Sequence, residues 1–275
     1  MSEHKTFTLD EEPIEFQDGD TIMDAALRAG AYIPHLCHNP EFEPHGSCRV
    51  CVVGVHGRRV SACTQPAAEG LEVENNSEAI KQERRALLQM LFVEGNHVCP
   101  GCEKSGACQL QAVAYYTGML DPHFTHFFPR RSVDASHAEI AIDFNRCILC
   151  ELCVRASRDV DGKNVFSVSG RGIDSHLVIN SPSGKLGDSD FSATDKAAQV
   201  CPVGAILHKH TGYDQPIGER LYDKKPISIV GDVAAHEQDE SRKPLSAAYT
   251  HRYRRRDAGT RATARMTGAC GWRFA

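Results

Sequence analysis

Long apolar runs are missing from this 275-residue chain. No stretch of about 18 apolar residues occurs, which excludes a membrane-spanning helix and predicts no membrane insertion. The N-terminal MSEHKTFTLDEEP is polar and acidic, without the apolar stretch of a secretory signal. A cytoplasmic location is therefore expected. No G-x-G-x-x-G is present, so a dinucleotide fingerprint of the Rossmann type is absent. Gly170-Arg171-Gly172 and the Gly184–Gly187 stretch are too short and isolated to replace it and read as turns. No Ser/His/Asp arrangement stands out, and the chain shows no internal repeat beyond its cysteine pattern. Nothing here performs bond chemistry by itself.

What is abundant is cysteine. In a secreted chain twelve cysteines would suggest disulfides. Without an export signal, and spaced as C-x2-C, they read as metal ligands in a reducing compartment. Eleven fall into three groups: Cys37, Cys48, Cys51 and Cys63; Cys99, Cys102 and Cys108, with His97 two residues upstream; and Cys147, Cys150, Cys153 and Cys201, the last followed by Pro202. Each group describes an iron–sulfur site, because cluster iron prefers soft thiolates and each cluster needs four converging ligands. Three clusters on one small chain imply a segment of an electron wire. A zinc site is the alternative for the first group, and a zinc-binding scaffold the alternative for the whole chain.

The third group is the most specific. Its C-x2-C-x2-C matches the start of the bacterial ferredoxin run and Cys201-Pro202 its end. A second such triplet is absent, so four ligands remain for one [4Fe–4S] cluster. Pro202 cannot extend a preceding helix and turns Cys201 back toward the loop. The second group offers only three thiolates, which makes His97 the nearest candidate for a fourth ligand; histidine in place of thiolate removes one negative charge and tends to raise the potential. The first group, C-x10-C-x2-C-x11-C, departs from the plant-type spacing that begins C-x4-C. Its tight Gly46–Cys51 loop is expected to aim backbone N–H groups at the cluster. Cys270 is left over, without a partner.

The length allows two or three small domains. Residues 1–76 read as a mixed α/β unit: a hairpin through Phe7, Leu9, Ile14 and Phe16, a helix opened by Asp20-Thr21 and ended by Gly30, a strand through Val50–Val55 returning at Val60 after a His56-Gly57 turn, and a strand at Leu71 and Val73. Residues 77–95 read as one helix with Ser77 as N-cap, followed by a short helix from about Cys108 to Tyr116. Residues 121–138 look irregular. Ile140–Phe144, Val165–Val168 and Leu177–Ile179 read as strands, 181–192 as a polar loop, and Ala193–Val200 as a short helix. The parts are thus 1–76, 77–120, 121–230 and a tail, 231–275. Residues 241–275 hold nine of the 31 Lys/Arg and one of the 36 Asp/Glu, leaving a net charge of −13 over 1–240 against −5 overall. The basic tail could suggest a nucleic-acid or membrane patch. Its lack of apolar periodicity favours a disordered extension instead, and no nucleic-acid partner is expected.

The first group resembles the N-terminal ferredoxin-like domain of the large iron–sulfur subunit of respiratory complex I and of related hydrogenase subunits, in which a [2Fe–2S] cluster sits on this longer loop. The segment EGNHVCPGCEKSGACQLQ resembles the His/Cys3-ligated [4Fe–4S] motif of the same family, with one residue between the histidine and the first cysteine where complex I has three. Over residues 5–226, including GYDQPIGERLYD at 212–223, the whole resembles the diaphorase small subunit of soluble NAD-reducing [NiFe] hydrogenases. The complex I subunit continues with a large further domain, and this difference favours the hydrogenase type. The resemblance implies an α+β chain: an N-terminal β-grasp [2Fe–2S] domain, a small helical His/Cys3 domain, a bacterial-ferredoxin-like [4Fe–4S] domain and the tail. It implies one [2Fe–2S] and two [4Fe–4S] clusters, a flavoprotein diaphorase partner binding FMN and NAD(H), and [NiFe] hydrogenase large and small subunits. No cysteine pairs remain here for a nickel–iron centre. The implied role is a non-catalytic relay in reversible NAD+ reduction by H2. The same module in an NAD-linked formate dehydrogenase or a complex I-like NADH dehydrogenase is the alternative.

Overall fold

The computed structural model describes residues 5–212 and 215–230. The chain opens with a hairpin, β1 (Thr6–Leu9) and β2 (Glu12–Glu15), turning at Asp10 and Glu11, both at positive φ. Helix α1 (Ile22–Arg28) follows. Thr21 and Asp24 close its N-terminus with a reciprocal capping box, the Thr21 hydroxyl accepting from Asp24 N–H and the Asp24 carboxylate from Thr21 N–H. Strands β3 (Val52–Val55) and β4 (Arg58–Ser61) form a second hairpin across His56-Gly57, and β5 (Glu72–Glu74) completes a five-stranded sheet of order β2-β1-β5-β3-β4. β1 and β5 run parallel, with Leu9 opposite Val73; the other pairings are antiparallel. Phe7, Leu9, Ile14, Val53 and Val55 alternate inward and meet Ile22, Met23 and Ile33 in one core. The mixed sheet with a single packed helix is the β-grasp arrangement that the resemblance implies.

Helix α2 (Glu78–Glu94) begins at Ser77, whose side chain makes no capping bond. Helix α3 (Gln109–Thr117) starts directly after Cys108 and ends at Gly118, left-handed at φ +73°, where glycine avoids a Cβ clash. Residues 121–138 are mostly irregular but contribute a two-residue strand, β6 (Val133–Asp134). It pairs with β7 (Ile140–Asp143), which in turn pairs with β10 (Ile206–His208). Neither β6 nor β10 was legible, because their partners rather than their own pattern make them strands. A short helix α4 (Leu152–Arg155), also unforeseen, continues as a π-turn through Ala156–Val160. Strands β8 (Phe166–Ser169) and β9 (His176–Ile179) pair as a hairpin. Helix α5 spans only Lys196–Gln199, shorter than the expected 193–200, and α6 is Ile227–Val230.

A second core joins these parts. Leu88 of α2, Leu110 and Val113 of α3, Ile140 and Ile142 of β7, and Phe166 and Phe191 are buried together with Leu36, Cys37 and Val50 of the N-terminal unit. Among the described residues no helix is long and apolar enough to cross a membrane. The expected tail, 231–275, and Cys270 lie outside the described residues.

Candidate metal centres

The first group is assembled by the β3–β4 hairpin and the loop that precedes it. Cys51 stands immediately before β3 and Cys63 two residues after β4, and the hairpin register brings their sulfurs to 3.4 Å. Arg49, between Cys48 and Cys51, is left-handed at φ +60°, as is Gly46 at +70°. This conformation is unfavourable for arginine and wraps the loop inward. The N–H groups of Cys48, Val50 and Cys63 point at cysteine sulfurs. Thiols this close cannot ionise independently. The Cys48 and Cys63 thiols donate to Cys37 and hold it far below the usual thiol range, while both donors are pushed far up. The Cys63 bond brings Cys51 down to about 7. A bound metal removes that competition by displacing the protons, so this buried all-sulfur donor set suits a thiolate-bound cluster.

In the second group Cys99 opens a single 3-10 turn whose carbonyl accepts from Cys102 N–H at 3.1 Å, and Cys108 is the N-cap of α3. Burial raises the Cys99 thiol and pushes Cys108 up to about 12. His97 folds back over Gly95, where a Cβ would lie 2.5 Å from its Nε2. Its ring stands 5.4 Å from Phe92. Nε2 is buried with no hydrogen-bond partner among the described residues, and burial pulls the imidazole down to about 4. A neutral imidazole with an unused buried nitrogen is the state required of a metal ligand.

The third group wraps a cavity lined by Cys147, Cys150, Cys153 and Cys201 together with Ile148, Val168, Leu177 and Ile206. Leu149 and Glu151 are left-handed, at φ +52° and +57°, one in each half of C-x2-C-x2-C. These two reversals wind successive cysteines around one space. Burial pushes Cys147 up to about 11 and holds Cys150 and Cys153 well above the ordinary thiol value. Among the described residues no set of three or more His, Cys, Asp or Glu side chains is arranged to hold a single metal ion.

Residues that sequence reasoning missed tie the three groups together. Arg155, 4% exposed at the end of α4, donates to the carbonyls of Cys37 and of Glu43, the latter at 2.8 Å, and lies over the Phe42 ring. It thus joins the third group's helix to the first group's loop. Gln109 N–H donates to Pro202 O at 2.9 Å and its side chain to His35 O at 3.1 Å. Gly204, three residues past Cys201, packs so closely on the second group that a Cβ there would sit 2.6 Å from Cys102 Sγ. Arg146 donates to Cys102 Sγ at 3.6 Å while its chain neighbour is Cys147. No periodicity or motif marks Arg155, Arg146 or Gly204, and Gln109 lies within the EGNHVCPGCEKSGACQLQ segment without standing out in it. Arg220 and Tyr222, in the 212–223 stretch, clip the second group's loop through Ser105 O and Gly106 O.

Fold and donor sets define a multi-cluster iron–sulfur electron-transfer protein. Three family models match in succession: a 2Fe-2S iron-sulfur cluster binding domain over residues 3–78, the NADH-ubiquinone oxidoreductase-G iron-sulfur binding region over 84–123, and a 4Fe-4S single cluster domain over 140–207. The gamma subunit of the NAD-reducing hydrogenase HoxS of Cupriavidus necator is 42% identical over 221 residues, covering 80% of this chain and 94% of that protein. The chain belongs to the family of that HoxS gamma subunit. A crystal structure of an NAD+-reducing [NiFe]-hydrogenase in the H2-reduced state contains a chain of 54% identity. It superposes with a TM-score of 0.82 over 84% of this chain and 98% of that one. The alpha subunit of the NADPH-Fe(3+) oxidoreductase of Geobacter sulfurreducens and the mitochondrial 78 kDa subunit of the NADH-ubiquinone oxidoreductase of Candida albicans are each 32% identical over 206 residues, or 74% of this chain. This chain spans about a quarter of their length, 24% and 28%.

Proposed function

We propose that this chain relays electrons between an FMN- and NAD(H)-binding flavoprotein diaphorase subunit and the large and small subunits of a [NiFe] hydrogenase, without a catalytic centre of its own and in the cytoplasm. One [2Fe–2S] cluster is assigned to Cys37, Cys48, Cys51 and Cys63. One [4Fe–4S] cluster is assigned to His97, Cys99, Cys102 and Cys108, and another to Cys147, Cys150, Cys153 and Cys201. The corresponding domains are 1–76, 77–120 and 121–230. When bound, the clusters supply reversible one-electron transfer. The chain's own residues hold them, bury them and fix their spacing. The observation that carries the reading is the tying of all three cysteine groups into one buried core by Arg155, Gln109 and Arg146. Such an arrangement suits sites that must exchange electrons with one another.

The test is to tag the chain, purify its native complex without oxygen, and measure metals and NAD+ reduction. The reading requires about ten irons per chain with matching sulfide, no stoichiometric zinc, and hydrogen-driven turnover with a co-purifying nickel–iron protein. Formate-driven turnover would keep the relay and replace the enzyme at its far end. The likeness to the Candida NADH-ubiquinone oxidoreductase protein makes quinone-linked NADH oxidation the corresponding outcome for a complex I-like assembly. Zinc without sulfide would refute the relay. His97→Ala is expected to perturb the reduced EPR signal of the second cluster alone; an unchanged signal would place the fourth ligand elsewhere.

A further inference from the structure

Arg146 lies where the second and third cysteine groups meet. Its Nη1 donates to Cys102 Sγ at 3.6 Å, to Glu103 Oε2 at 2.6 Å and to Gly204 O at 3.4 Å, and its Nε pairs with Asp143 Oδ2 at 2.9 Å. The side chain is 19% exposed, so the guanidinium is largely withdrawn from water, and it is anchored through Nη1 and Nε. Among the described residues it donates to no cysteine sulfur other than Cys102. Gly204 leaves the opening that permits this approach: a Cβ there would come within 3.5 Å of Nη1 and 2.6 Å of the same sulfur.

We propose that Arg146 sets the reduction potential of the cluster held by the second cysteine group, acting through its charged N–H···S bond to Cys102, with Asp143 holding the guanidinium in place. This rests on the assignment of a cluster to Cys99, Cys102 and Cys108. Reduction adds one electron, and hence negative charge, to a cluster whose sulfurs share it. A hydrogen bond from a cation to a ligand sulfur stabilises the reduced form more than the oxidised form and raises the potential. Two carboxylates flank the guanidinium, so its long-range field is partly cancelled and the short N–H···S contact carries the effect. That contact is local to the second group, which makes the first cluster an internal control. Glu103 competes with Cys102 for the same nitrogen, so removing its charge strengthens the donation to sulfur.

The experiment is an anaerobic redox titration of the native complex followed by EPR, with iron and sulfide measured on each sample. In Arg146→Gln the second cluster is expected to become harder to reduce, its reduced-to-oxidised ratio at fixed poise falling about tenfold, or about 59 mV for one electron. The first cluster's midpoint stays unchanged. Glu103→Gln, at a position with a 40% exposed side chain, shifts the second cluster in the opposite direction. Arg146→Lys keeps the charge but cannot serve sulfur, carboxylate and carbonyl together, and falls between wild type and Arg146→Gln. Unchanged midpoints in cluster-replete Arg146→Gln and Glu103→Gln overturn the proposal. If Arg146→Gln loses the cluster, Arg146→Lys decides: a lowered midpoint in the cluster-replete variant supports the proposal, an unchanged one overturns it. A wild-type complex without a second cluster would refute the assignment beneath it, a result the metal analysis separates from a null shift.

Discussion

Arg84 offers the sharpest test of how α2 is fastened to the N-terminal sheet. It is 1% exposed, and its guanidinium donates to Asn75 O at 2.9 Å, to Val52 O at 2.7 Å and to Asn75 Oδ1 at 2.7 Å. Burial draws its pKa down to about 10, which leaves it charged at neutral pH. Arg84→Leu keeps an apolar stem and strands three buried acceptors. Each unsatisfied acceptor costs about 1–3 kcal/mol, but deleting the guanidinium also relieves its own desolvation, so the net loss is about 3–5 kcal/mol rather than the full sum. For a protein of this size that lowers the thermal midpoint by about 6–20 °C. The assay is thermal unfolding of the cluster-loaded complex at one scan rate, since cofactor loss makes the transition irreversible. Arg84→Lys provides the comparison, as one ammonium cannot reach all three acceptors, and an intermediate midpoint is expected. A shift under about 2 °C for Arg84→Leu would mean that the desolvation cost of the cation cancels its three bonds, and would refute the reasoning.

Two further outcomes are expected. Gly204→Ala places a methyl 2.6 Å from Cys102 Sγ; it should lower the iron content by loss of the second cluster while the first cluster's EPR signal persists, and full iron content would show that the two loops can separate. Arg155→Met leaves the carbonyls of Cys37 and Glu43 without their donor, costing about 2–4 kcal/mol; the first cluster should bleach several-fold faster under chelator than in wild type, and equal rates would dismiss the tie.

The cysteine spacings stand out in the sequence because thiolate ligation would demand local spacing, and the elements beside them were legible because their patterns are local as well. Val52, Val53 and Val55 announce β3, and His56-Gly57, both at positive φ, make the turn their residue types favour. Thr21 and Asp24 cap α1 within four residues. The residues that fix one site against another were not legible. Arg155 reaches Cys37 across 118 positions and Arg146 reaches Cys102 across 44, and an arginine on a short helix or beside a cysteine looks like any solvated charge. Strand β10 was hidden for a related reason: Ile206–His208 is too short to show alternation and becomes a strand because β7 offers it an edge. Ser77 shows the reverse. Its position and residue type are those of an N-cap, yet its hydroxyl makes no capping bond, so type and place predict the helix start better than they predict the contact.

An arginine stands at each junction between the parts that carry the donor sets. Arg84 joins α2 to the strand that follows Cys51, Arg155 joins α4 to the loop of Cys37, and Arg146 joins the β7 end to Cys102. Two physical demands converge there. Thiolate-bound clusters are anionic, and burying several in one core is costly unless positive charge is buried with them. Loops that contribute single ligands also have few backbone bonds of their own, so their carbonyls need donors from elsewhere. Guanidinium meets both demands, because its five N–H groups can hold two or three carbonyl oxygens in a fixed plane while the charge remains. Lysine supplies the charge without the plane. Arginine-to-lysine replacements at these three positions therefore separate the two roles: counter-charge is retained, whereas the spacing between neighbouring donor sets is released.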